Sequence, residues 1–130
     1  MASELRVDTL KDASGNNSIG LSYVANGSAK AWINFNGVGA PSVTDSLNCS
    51  IFSDNGTGDY SISITSSFDN AGYSCTASND GFDDASGRPV VSTPNTIATS
   101  SFKIFNLGTH SSDDFYDLNP TMATLHGDLA

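Results

Sequence analysis

Apolar and polar residues alternate with a period of two along most of this chain. In 4–10, Leu5, Val7 and Thr9 fall on one face and Arg6 and Asp8 on the other, the signature of a strand. The cluster Asp12-Ala-Ser-Gly-Asn-Asn17 predicts a turn, 18–24 a second short strand, and Asn26-Gly27 another turn. Residues 29–36 set Ala31, Ile33 and Phe35 against Lys30, Trp32, Asn34 and Asn36, and a Gly/Pro loop follows at 37–42. Residues 45–53 set Leu47, Cys49 and Ile51 against Ser46, Asn48, Ser50 and Phe52. Tyr60, Ile62 and Ile64 then alternate with Ser61, Ser63 and Thr65. These two runs flank Asp54-Asn-Gly-Thr-Gly-Asp59, which predicts a hairpin with a tight turn centred on Asn55-Gly56.

Further along, Tyr73, Cys75 and Ala77 alternate with Ser74, Thr76 and Ser78. In 99–107, Lys103, Phe105 and Leu107 lie opposite Phe102, Ile104 and Asn106. In 121–129, Met122, Thr124 and His126 lie opposite Ala123 and Leu125, a run suited to closing the sheet. Between these strands, 79–96 is polar and holds Asp80, Asp83, Asp84, Arg88, Pro89 and Pro94. It reads as a long loop, and long loops in compact domains are functional or interaction elements. Segment 108–120 is polar with Phe115, Tyr116 and Leu118 embedded. About seven or eight short strands separated by turn signals predict an all-β fold, an antiparallel β-sandwich, jelly-roll-like or related. The expected organisation is one compact unit, with an N-terminal strand and docking segment over 1–28 and a β-sandwich module over 29–130.

Composition reinforces this. Ser, Gly, Asn and Thr make up 56 of the 130 residues, glutamine is absent and Glu4 is the only glutamate. Strong helix formers are scarce and turn and strand formers abundant, which argues against a helical bundle or a βα-alternating enzyme. Fourteen acids against five bases give a net charge of −9. Such a chain repels phosphate backbones and anionic lipid, so neither nucleic acid nor membrane insertion is expected. No run approaches the ~20 apolar residues of a membrane-spanning helix. The opening residues show no basic region followed by an apolar stretch, so synthesis and folding in a cytoplasm are expected.

Candidate chemistry is thin. Asp54 to Asp59 offers oxygens around glycines but lacks the ligand order of a calcium loop, and the hairpin already accounts for it. Asp80, Asp83, Asp84, Asp113 and Asp114 supply carboxylates with no sign of the convergence a glycosidase needs, and read as solvated acidic loops. His110 and His126 have no nucleophile motif beside them. Cys49 and Cys75 fit no metal spacing, and buried free thiols are expected. No catalytic residue, metal or cofactor is predicted. Trp32 points away from the Ala31, Ile33 and Phe35 face, the placement of an interface aromatic.

The stretch Ala29-Lys-Ala-Trp-Ile-Asn-Phe-Asn-Gly37, with Thr44-Asp-Ser-Leu-Asn-Cys-Ser-Ile-Phe-Ser-Asp-Asn-Gly-Thr-Gly-Asp-Tyr60, resembles a module of bacteriophage tail fibres, especially of marine and cyanobacterial phages. Phe68-Asp-Asn-Ala-Gly-Tyr73 and the opening Ser3 to Asn17 are similar to segments of such proteins, and 121–128 to their closing strand. The resemblance implies a non-enzymatic virion structural protein, made in the host cytoplasm and placed on the virion surface. Its partners would be itself, as a homotrimer, other virion proteins, and a host surface glycan or receptor. On this reading Leu5, Val7, Leu10 and Trp32 are interface candidates, and Asp80, Asp83, Asp84 and Arg88 form an exposed binding loop used in host attachment. A capsid decoration protein is the alternative, and a polysaccharide hydrolase working through the Asp-rich loops a remote one.

Overall fold

A computed structural model describes residues 3, 6–83, 88–109 and 114–130. Its strands are β1 (Thr9–Lys11), β2 (Ser18–Gly20), β3 (Ala31–Asn36), β4 (Ser42–Leu47), β5 (Cys49–Gly56), β6 (Asp59–Ile64), β7 (Ser74–Asn79), β8 (Phe82–Asp83), β9 (Arg88–Ala98), β10 (Ser101–Gly108) and β11 (Thr121–His126). One helix, α1 (Leu21–Gly27), interrupts them. The protein is an all-β sandwich. A four-stranded sheet ordered β4-β3-β11-β7 faces a five-stranded sheet ordered β5-β6-β10-β9-β8, every pairing antiparallel. β1 and β2 form a separate hairpin.

The central strands follow the predicted alternation. Ala31, Ile33 and Phe35 of β3 and Ala123 and Leu125 of β11 point inward from one sheet. Tyr60, Ile62 and Ile64 of β6 and Phe102 and Ile104 of β10 meet them from the other. Phe35 lies at ring-centroid distances of 4.7 Å from Phe52, tilted, and 4.8 Å from Tyr60, edge-on, geometry that adds to area burial. Phe68 stacks on Tyr73 at 4.1 Å and fills one end of the core.

The inward face of β10 also carries Asn106, fully buried. Its Oδ1 accepts from Ser92 Oγ at 2.6 Å, and its Nδ2 donates to Thr121 Oγ1 at 3.0 Å in the opposite sheet. Asn79 Nδ2 donates to Ser92 Oγ at 2.8 Å and to the Val90 carbonyl at 3.0 Å. This chain ties edge strand β7 to β9 and both to the core, each buried polar atom in it having a partner as burial requires.

Several sequence expectations are corrected. The 45–53 run is not one strand. It breaks at Asn48, which takes φ 56°, and the chain there passes from one sheet to the other. Asn48 holds the corner: Nδ2 donates to the carbonyls of Lys30 (3.1 Å) and Ser66 (3.0 Å), and Oδ1 accepts from Ser66 N at 2.7 Å. A register shift between Cys49 and Ile51 then inserts one residue, which exchanges faces. Cys49 and Phe52 therefore both pack on the core, although simple alternation set them opposite. The β5–β6 turn lies at Thr57-Gly58, not Asn55-Gly56. Gly58 has φ 63°, and a Cβ there would sit 2.8 Å from Tyr116 N and 2.9 Å from the Asn106 carbonyl oxygen.

The long loop at 79–96 is mostly strand, β8 and β9. Among the described residues, no strand pairs with the outer edge of β9 beyond Arg88 and Pro89, and prolines are tolerated on such edges. Near the N-terminus, of the strand expected over 4–10 the described residues 6–8 are not strand and β1 is Thr9–Lys11, residues 4 and 5 lying outside those described. The strand expected over 18–24 ends at Gly20. The Asn26-Gly27 turn signal falls inside α1.

Candidate functional site

Three surfaces carry residues whose burial within one chain is incomplete. The outer face of the four-stranded sheet is the first. In register, Leu47, Trp32, Thr124 and Thr76 form one row across β4-β3-β11-β7, and Asp45, Asn34, Met122 and Ser78 the next. Trp32 is partly exposed and Leu47 exposed. Asn34 Oδ1 is buried without a hydrogen-bond partner, a cost that native structures seldom leave standing.

The N-terminal unit is the second. Asp12 closes the β1–β2 hairpin: it accepts from Asn17 Nδ2 at 2.7 Å, Asn16 N at 3.0 Å and Ser14 Oγ at 3.1 Å. The Asn17 bond is the main reason its carboxyl is held below the ordinary value. Leu10 and Ile19 are directly paired across the hairpin, so they share a face. Leu10 is 40% exposed and Ile19 45%, and Leu21, Tyr23 and Val24 of α1 are exposed as well. No described residue from Arg6 to Ser28 is buried. The unit meets the sandwich at its end, where the Gly27 carbonyl lies 3.2 Å from His126 Nδ1 and Lys30 Nζ bonds to the Ala25 carbonyl.

The third is a cleft of about 170 Å³ between edge strands β4 and β5, lined by Ile33, Val43, Ser46, Cys49, Ser50 and Phe52. It opens where the Asn48 corner parts the two sheets. Val43 is 42% exposed at its rim. Cys49 Sγ donates to the Trp32 carbonyl at 3.5 Å, and burial pushes its thiol up to about 11. Cys75 is likewise raised to about 11, first by burial and then by Cys49. Both cysteines are free, and both are protonated, weak nucleophiles at neutral pH.

Charge is distributed unevenly among these surfaces. Residues 1–30 hold three acids (Glu4, Asp8, Asp12) and three bases (Arg6, Lys11, Lys30). Residues 31–130 hold the other eleven acids and two bases, and so the entire net charge of −9. One of those two bases, Lys103, is engaged at 3.1 Å with Asp59.

The candidates named from sequence are dispersed. Leu5 and Asp84 lie outside the described residues, as does His110. Val7 precedes β1 and is partly exposed, Leu10 is on the hairpin, and Trp32 is on the sheet face. Asp80 is exposed, and the backbones of Asp83 and Arg88 pair across β8–β9, their side chains lying outside those described. The cleft residues Val43, Ser46, Ser50 and Phe52 had drawn no functional reading. They come from two strands adjoining a sheet switch, and the only local signal was Asn48, a residue tolerant of left-handed backbone. A scan against protein-family models, a search of curated proteins and a search of solved structures each return no match.

Proposed function

We propose that this protein is a non-enzymatic structural component of a bacteriophage particle, of the tail-fibre type. It stands on the virion surface as a homotrimer and takes part in host attachment. The observation that supports this most is the N-terminal unit, which presents Leu10, Ile19, Leu21, Tyr23 and Val24 to solvent and has no buried residue among those described. An apolar surface of this kind, ahead of an acidic sandwich, suits assembly. The sandwich then presents hydroxyl and amide side chains such as Asn34, Thr124, Thr76 and Ser78, groups able to hydrogen-bond a host glycan without charge. The tail-fibre resemblance over 3–73 points the same way.

Two measurements test the reading. Light scattering of the purified chain is expected to give the mass of three 13.5 kDa protomers at micromolar concentration. Immunogold labelling of phage particles with antibody to the chain is expected to decorate tails. Label on heads transfers the protein to capsid decoration, and absence of label from intact and disrupted particles refutes a virion role.

A further inference from the structure

We propose that the N-terminal hairpin of one copy docks, through its Leu10–Ile19 face, into the cleft between β4 and β5 of a neighbouring copy. This rests on the homotrimer reading and names its interface. Leu10 and Ile19 stand side by side, 40% and 45% exposed, as a paired apolar knob. The cleft offers a matching hole. Ile33 and Phe52 line its apolar side, Val43 stands 42% exposed at the rim, and its volume of about 170 Å³ admits the ends of the two paired side chains. Of the exposed large hydrophobic residues, five lie in the N-terminal unit (Leu10, Ile19, Leu21, Tyr23, Val24), and Val43 and Leu47 lie on β4.

Charge disfavours contact between two sandwiches. Sandwich against sandwich brings together two bodies that each carry the full −9, whereas the first thirty residues are neutral. The hairpin is therefore an apolar surface that meets an acidic sandwich without net like-charge repulsion. β4 is an edge strand among the described residues and is exposed at Ser42 to Asp45, which offers backbone groups along the rim. Contact of hairpin to cleft is head-to-tail, so each copy donates once and accepts once, and three copies close a ring.

The test uses the full chain. Leu10→Asp with Ile19→Asp damages only the donor, and Val43→Asp only the acceptor. All three positions are exposed, and unchanged far-ultraviolet circular dichroism and thermal midpoint verify folding. Each variant alone is expected to be monomeric, its self-association weakened on the order of 100-fold or more. Mixed in equal amounts they are expected to form a 1:1 heterodimer, because the intact hairpin of the Val43→Asp chain meets the intact cleft of the other. Should either variant fail to fold, Leu10→Ser with Ile19→Ser and Val43→Ser replace them. As a second readout, Leu10→Cys with Val43→Cys in a Cys49→Ala, Cys75→Ala background is expected to give an interchain disulfide under mild oxidation. Variants that stay trimeric, or monomers that do not pair on mixing, overturn the interface while leaving the trimer standing. A monomeric wild-type chain overturns both.

Discussion

Replacing Asn106 with alanine removes the central side chain of the polar chain running from Asn79 to Thr121, the one bonded to both Ser92 and Thr121. Asn106 is fully buried, so water does not take its place. Two groups lose partners: the Ser92 hydroxyl, which donates at 2.6 Å, and Thr121 Oγ1, which accepts at 3.0 Å. Asn79 keeps the Val90 carbonyl as acceptor. Each orphaned buried group costs about 1–3 kcal/mol, and the small cavity left behind adds to this. The expected loss is about 3–4 kcal/mol, a large share of the 5–15 kcal/mol typical of a domain. For a chain of this size that lowers the melting midpoint by roughly 10–15 °C. Scanning calorimetry and urea unfolding measure it, with an unchanged urea m-value showing that the effect lies in the folded state. A companion variant sharpens the reasoning. Asn106→Leu with Ser92→Ala and Thr121→Val removes donors and acceptors together, and is expected to recover most of the loss. A loss below about 1 kcal/mol for Asn106→Ala refutes the reasoning, as does a triple variant less stable than the single one.

Three further outcomes are expected. Gly58→Ala forces a side chain into left-handed backbone at φ 63° with a Cβ 2.8 Å from Tyr116 N, and chemical denaturation should show a loss of about 2–3 kcal/mol; a change within 0.5 kcal/mol refutes that account. At the sheet-switching corner, Asn48→Gly keeps φ 56° accessible but loses three hydrogen bonds, while Asn48→Ala loses both, so urea midpoints should fall in the order wild type, Gly, Ala; equal midpoints for the two variants would remove the backbone argument. Folding raises Cys49 and Cys75 from 9.0 to about 11 and Tyr73 from 10.0 to about 12 through burial. The unfolded chain thus releases these protons first, so their contribution is complete below about pH 9 and is lost as pH rises to about 12; urea midpoints at pH 8, 10 and 11 should fall steadily, and a flat or rising series contradicts it.

The all-β class was legible in the sequence because side chains in a strand alternate strictly, and the runs around Ile33, Ile62, Ile104 and Ala123 are long enough to display that period. The outward placement of Trp32 was legible on the same ground, being one step out of phase with Ala31, Ile33 and Phe35. Alternation does not specify which sheet a strand joins, nor that a chain changes sheets mid-run. The Asn48 corner and the extra residue after Cys49 set the phase of Phe52, and both are defined by partners far along the chain, Lys30, Ser66 and Ile64. Pro94 of β9 read as part of a loop because its compatibility with a strand depends on lying beyond the stretch paired with β8, which is a property of the assembled sheet. Asn106 read as one more polar strand residue until Thr121, from the opposite sheet, and Ser92 arrived to satisfy it. Period is a local property of the backbone and is written in neighbouring residues. Register, sheet membership and the satisfaction of buried polar groups are relations between distant segments, and only packing the two sheets together decides them.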